Sequence, residues 1–215
     1  MTDADGRTGR IHDADATRAD ILRVAATEFA AKGLAGARID EIAEKTRSSK
    51  RMIYYYFGSK EELYRAVLEQ NYAGIREAEG DRHFEDLPAI DALRAHVEHT
   101  LDYHIAHPEF VRMVMNENIH RAEHLAGVYG IRERNRRVIA SMQAIIDKGL
   151  AEGSFRPGLD PLELHLQISS LCFYVVSNRY TINTIFGLDM ADPAVIARRR
   201  AAIVATMLAA VQNPA

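Results

Sequence analysis

The segment Ile39–Leu63, IDEIAEKTRSSKRMIYYYFGSKEEL, restricts the fold more than any other part of this chain. Ile39, Ile42 and Ala43 fall at helical spacing and predict a short helix ending near Thr46. Ser49 is placed to cap a further helix over Lys50–Phe57, with Met52, Ile53 and Tyr56 as inward positions. Gly58 then breaks the chain, and Ser59-Lys60-Glu61-Glu62 reads as a capping box that starts a fourth helix. Lys45, Arg47, Lys50, Arg51 and Lys60 put five cations between residues 45 and 60 without one Asp or Glu. A short, basic, aromatic helix that follows a tight turn suits the major groove of DNA.

The periodicity is helical on both sides of this segment. Ile21, Leu22, Ala25 and Phe29 predict a first helix from Thr17 to a stop at Lys32-Gly33. Residues 1–14 lack a pattern and are expected to form a disordered arm, followed by a DNA-binding domain over 15–62. The fourth helix is expected to run from Lys60 to about Glu79, so it bridges into a second domain over 63–215. Pro88 opens a pattern that stops at His107-Pro108, and Pro108 starts the next. Further helices are predicted from Tyr129 to Leu150, from Pro161 to about Phe186, and from Pro193 to about Gln212. Alternating strand patterns are absent. The fold class is all-α, with about nine helices.

Composition narrows the function. The net charge of −3 divides into −2 from Asp3 and Asp5, +4 over residues 7–60 and −5 over residues 61–215, so one end is fitted to meet a polyanion. One cysteine, Cys172, excludes an intrachain disulfide. No apolar run approaches the roughly 18 residues that cross a bilayer, so the expected location is the cytoplasm. No phosphate-cradling Gly-rich loop and no nucleophile motif is present, which argues against an enzyme.

In a helix-turn-helix, Ile39–Thr46 is the brace, Arg47-Ser48 the turn and Ser49–Phe57 the reader. With Ile53 and Phe57 inward, Ser49, Lys50, Arg51 and Tyr55 face DNA. Lysine and arginine bind phosphates or guanine edges, and tyrosine hydroxyls reach phosphates. Lys60 would set an ammonium beside the DNA backbone. Tyr54 and Tyr56 are equally readable as core.

The stretches TRADILRVAATEFAAKGLAGARIDEIAEKT and SKRMIYYYFGSKEELYRAVLE resemble the TetR/AcrR family of bacterial transcriptional regulators from residue 17 to about 70. The core Y-x-Y-F-x-S-K-E-x-L is a specific signature, and HPEFVRMVMNENIHR resembles a subgroup of the same family. The resemblance implies a homodimer, an N-terminal reader of a pseudo-palindromic operator, and a C-terminal helical domain that holds a small-molecule effector. It places DNA contacts on Ser49, Lys50, Arg51, Tyr54, Tyr55 and Lys60, with Thr17 and Arg38 as backbone contacts. Two departures stand out. Arg47 and Ser48 occupy turn positions where the family has glycine and a hydrophobe; Arg47 there costs about 1 kcal/mol or is kept for a phosphate. Ala37-Arg38 replaces a Thr or Ser that often caps the second helix.

The acidic body carries the candidate effector residues Tyr103, Phe110, Met113, Glu117 and Asn118, with Phe173, Tyr174, Ser177, Asn178 and Thr181. They mix apolar walls with polar groups, as a ligand cavity requires. Ile168, Leu171, Val175, Ile203, Met207 and Leu208, on the two long terminal helices, are the candidate dimer faces. His96, His99, His104, His107, His120 and His124 include pairs at metal-ligand spacing, but thiolate partners are missing and no metal or cofactor is expected. The expected function is a repressor released from its operator by an effector. A helical enzyme and an effector-free architectural DNA binder are the alternatives.

Overall fold

The computed structural model describes the backbone of residues 5–80, 84–128 and 130–212, and their side chains outside 5–13, 79–80, 85 and 134. Among the described residues there are ten α-helices and no strand. They are α1 (Asp5–Gly36), α2 (Ile39–Lys45), α3 (Lys50–Phe57), α4 (Lys60–Gly80), α5 (Ala89–Ala106), α6 (Pro108–Ile119), α7 (Ile131–Ala151), α8 (Pro161–Ser177), α9 (Arg179–Phe186) and α10 (Pro193–Val211). The chain divides into two compact units: Met1–Asn71 with Arg112–Tyr129, and Tyr72–Val111 with Gly130–Ala215.

In the first unit α1 breaks at Gly33 (φ 66°), the stop read from Lys32-Gly33. The arm expected over residues 1–14 is helical from Asp5; residues 1–4 lie outside the described residues. Once a helix is nucleated, each added residue gains a hydrogen bond, and no proline interrupts the extension. Ile21, Phe29, Ile42, Ile53 and Leu63 are fully buried, and Phe29 meets Tyr64 edge-on at 5.1 Å. Buried Glu28 takes Lys32 at 2.7 Å and Lys45 at 2.9 Å, tying the end of α2 to α1. Burial raises its pKa, but the hydrogen bonds from the two lysines prevail and lower it to about 2.

The domain boundary expected at residue 62 is corrected, because the first unit runs to Asn71 and recruits Arg112–Tyr129. Glu117 of α6 explains the recruitment. Its carboxylate accepts from the Tyr64 hydroxyl at 3.0 Å and the Leu125 amide at 2.9 Å, and lies 3.2 Å from His124 Nδ1. Burial, then the Glu117 charge, pushes the Tyr64 pKa upward, so the phenol stays protonated as donor.

The second unit packs α5, α7, α8 and α10 around Leu93, Val97, Leu101, Met142, Ile146, Ile168, Cys172 and Ile203. Its helix ends are fixed by side chains. Asp160 accepts from the Glu163 amide at 2.8 Å and Asp192 from the Ala194 amide at 2.7 Å, each followed by a proline that needs no partner. Glu152 accepts from the Ala89 amide at 2.9 Å, capping α5 where Pro88 has no capping side chain. Gly149 is required by its neighbour: a Cβ there would meet the Phe155 ring at 2.3 Å. Tyr129, read as the start of the seventh helix, lies outside the described residues; α7 itself begins at Ile131.

The single helix expected from Pro161 to Phe186 is two. It breaks at Asn178 (φ −103°, ψ 6°), whose side-chain amide donates to Ser177 Oγ at 2.8 Å and whose carbonyl accepts from Thr181 Oγ1 at 2.9 Å. Ser and Asn side chains compete with helical hydrogen bonds in this way.

Candidate nucleic-acid interface

The geometry of α3 begins with the turn before it. α2 ends in a Schellman motif: Ser48 N–H donates to Ala43 O at 3.1 Å and Arg47 N–H to Glu44 O at 3.3 Å. This motif needs a left-handed residue, and Arg47 supplies it at φ 53°, where glycine costs least. Arg38 sits at the start of α2 with no side-chain cap, as the sequence implies. Ser49 Oγ then accepts from the Met52 amide at 3.2 Å, which fixes where α3 starts and which residues face out.

Ile53 and Phe57 are buried, and Lys50, Arg51, Tyr54 and Tyr55 are exposed, Tyr55 by 79%. The Tyr55 ring touches Tyr56 edge-on at 5.5 Å and is otherwise open to water, and one reading of Tyr54, as core, is removed by its 46% exposure. Tyr56 is half-buried and meets Phe57 at 6.3 Å. Met52, read as inward, is exposed as well; its hydrophobicity misled where the cap at Ser49 sets the phase. Arg18 of α1 was not singled out in the sequence, yet its guanidinium lies 5.3 Å over the Phe57 ring.

The cations are held in different ways. Lys50 pairs with exposed Asp40, which also has Arg38 at 3.8 Å. Such surface pairs contribute about 0–1 kcal/mol, so a phosphate can displace them. Lys60 donates to Ala35 O at 3.4 Å and caps the end of α1. Ser59 accepts from the Glu62 amide at 3.0 Å, half of the expected capping box, while Glu62 turns to Arg65. Arg47 is exposed; Thr17 and Ser48 are half-buried.

The structure separates the candidate effector residues. In the second unit Tyr103 meets Phe110 edge-on at 6.0 Å, and His104 joins Phe110, stacked at 5.9 Å, to Phe173, edge-on at 5.8 Å. Ser177 and Asn178 are half-buried beside the helix break. Tyr174 and Thr181 are exposed; the break at Asn178 resets the facing of α9 and turns Thr181 outward. Met113, Glu117 and Asn118 belong to the first unit, where Met113 is core, Glu117 is engaged by Tyr64 and Leu125, and exposed Asn118 donates to Val114 O at 2.9 Å.

The dimer assignment also needs correction. Ile168, Val175, Ile203 and Met207 are at most 2% exposed and form the protomer's own core, with Leu171 and Leu208 packed against it. Apolar spacing identifies the buried face of a helix without naming the molecule that buries it. Outward on α8 are Leu162, Leu166 and Tyr174. Among the described residues no group of His, Cys, Asp and Glu is arranged to hold a metal ion, and no helix is long and apolar enough to cross a membrane.

A capped basic helix behind a left-handed turn, braced by two helices, defines a helix-turn-helix protein. The profile described as "Bacterial regulatory proteins, tetR family" matches residues 21–67, and "Tetracyclin repressor-like, C-terminal domain" matches residues 88–207. The chain belongs to the TetR family and is a DNA-binding transcriptional regulator, not an enzyme. The HTH-type transcriptional repressor NicS of Pseudomonas putida is 38% identical over 187 residues, 86% of this chain and 88% of NicS. A transcriptional regulator from Streptomyces coelicolor has a TM-score of 0.69 at 27% identity, covering 92% of this chain and 99% of that one. The ketosteroid transcriptional regulator KstR2 of Mycobacterium tuberculosis shares the fold, with a TM-score of 0.65 at 19% identity over 92% and 95% of the two chains.

Proposed function

We propose that this chain is a cytoplasmic, homodimeric repressor that leaves its operator when a small molecule binds the second unit. The observation that carries the reading is the outward row on α3, Lys50, Arg51, Tyr54 and Tyr55, set by the Ser49 cap. Lys50 and Arg51 contact phosphates or guanine edges, Tyr54 and Tyr55 contact phosphates and thymine methyls, and Ser49 and Arg47 flank them on the backbone. Thr17, Arg38, Ser48 and Lys60 complete the backbone contacts.

Two such helices must lie about 34–36 Å apart to enter successive major grooves, which calls for a dimer. The outward α8 residues Leu162, Leu166 and Tyr174 supply its apolar face. An effector near Tyr103, Phe110 and Phe173 acts through α4, which gives residues to both units and begins with Lys60. The shift it can produce is limited by its differential affinity for the two states. The repressor name borne by NicS supports the sign of regulation.

Binding to a labelled duplex from upstream of the protein's own gene tests the reading. Affinity is expected to fall steeply with salt, and sedimentation is expected to show a dimer. Absence of binding, or binding indifferent to salt, would overturn it.

A further inference from the structure

In the second unit His96 and His104 are buried and His165 is half-buried, and each shields a ring nitrogen that packing does not account for. His96 is 2% exposed, and both its ring nitrogens are shielded from solvent without a hydrogen-bond partner among the described residues. His104 and His165 each leave Nδ1 in the same condition. A neutral imidazole carries one donor and one acceptor, and each buried group left unpaired costs about 1–3 kcal/mol. Leucine or phenylalanine would serve a core better.

Burial lowers His96 to about 3, with smaller contributions from the His165, His99 and Arg76 charges. It lowers His104 and His165 to about 4, with a smaller contribution from Arg76, so all three are neutral at pH 7. Arg76 of α4 is near enough for its charge to act on all three rings, so a cation stands beside them. The surroundings are aromatic: Phe84 is edge-on to His96 at 5.5 Å and tilted over His99 at 6.3 Å, and His104 lies between Phe110 and Phe173. Flat apolar walls with a few polar groups and a cation fit a flat ligand that bears an anionic group.

We propose that His96 and His165, with Arg76, recognise the carboxylate of an aromatic acid, whose ring lies among Phe84, Phe110 and Phe173. This rests on the reading of the second unit as the effector domain, and it gives that effector a chemical class. The buried nitrogens are closed to solvent, so admitting the acid requires α5 and α8 to part. That movement makes binding a conformational event.

Calorimetry on the full-length protein with sodium benzoate, and with benzamide as its uncharged counterpart, tests the proposal. Benzoate is expected to bind, benzamide about tenfold or more weakly, and His96→Leu and His165→Leu to reduce benzoate affinity by about tenfold or more. Unliganded His96→Leu is expected to melt about 2–4 °C higher, since it removes an unpaired buried group. His96→Gln, which keeps hydrogen-bonding capacity, should retain more affinity than His96→Leu. No benzoate binding, equal affinity for benzamide, affinity unchanged in both leucine variants, or a lower melting temperature for unliganded His96→Leu would each overturn it. Operator binding of the same preparations separates the two failures: operator affinity retained beside any of these results removes only the aromatic acid, whereas its absence removes the regulator reading.

Discussion

In the first unit Glu28 is buried between Lys32 and Lys45, and Glu117 is buried against Tyr64, His124 and the Leu125 amide. In the second, His96, His104 and His165 bury nitrogens that no described residue meets. A satisfied buried network fixes one geometry, which suits a helix that must enter a groove in register. An unsatisfied one carries a cost that an occupant can relieve. The first unit is not free of unmet polarity, since Arg65 Nε and Asn71 Nδ2 are also buried without a partner, so the contrast lies between these two carboxylates and three imidazoles.

The contrast predicts opposite signs for buried polar substitutions. Glu117→Ala strips three hydrogen-bond contacts and takes the carboxylate from the Tyr64 hydroxyl, the Leu125 amide and His124 Nδ1, so it should lower unfolding free energy by about 3 kcal/mol in urea titrations. Gly149→Ala drives a Cβ into the Phe155 ring and should cost about 1–3 kcal/mol by the same measurement. A stability gain from Glu117→Ala would erase the contrast.

The histidines also predict a pH dependence. Their folded pKa values lie below the unfolded 6.5, so the unfolded chain binds more protons between about 6.5 and 4. Stability from these groups is therefore complete above pH 6.5, falls as pH drops toward 4, and levels below 3. Arg76 and His99 act on His96 from α4 and α5, and His165 acts on it from α8. Melting temperatures from pH 7 to 4 should fall less steeply in His96→Leu than in the wild type; parallel curves would contradict this. The smallest effect is expected at Arg47: Arg47→Gly relaxes the left-handed turn and should add about 1 kcal/mol.

Helix positions were legible because apolar spacing, Pro starts and Gly stops act locally, as at Gly33, Pro161 and Pro193. The reading face of α3 came from the Ser49 cap and from Ile53 and Phe57. Pairings distant in sequence were not legible: Glu117 with Tyr64 joins residues 53 apart and moved the domain boundary. The same limit explains Ile168, Val175, Ile203 and Met207, whose periodicity marks a buried face on either side of a subunit boundary. His96 and His104 were visible as residues, but whether their nitrogens had partners depended on tertiary packing.

The central claim is that α3 reads DNA through Lys50, Arg51, Tyr54 and Tyr55. Fluorescence anisotropy on the upstream duplex, over about 50 to 200 mM salt, tests it most directly. The account predicts a steep negative dependence of log affinity on log salt, reduced by about 1 in slope for Lys50→Ala or Arg51→Ala. Unchanged affinity and slope in both variants would contradict it.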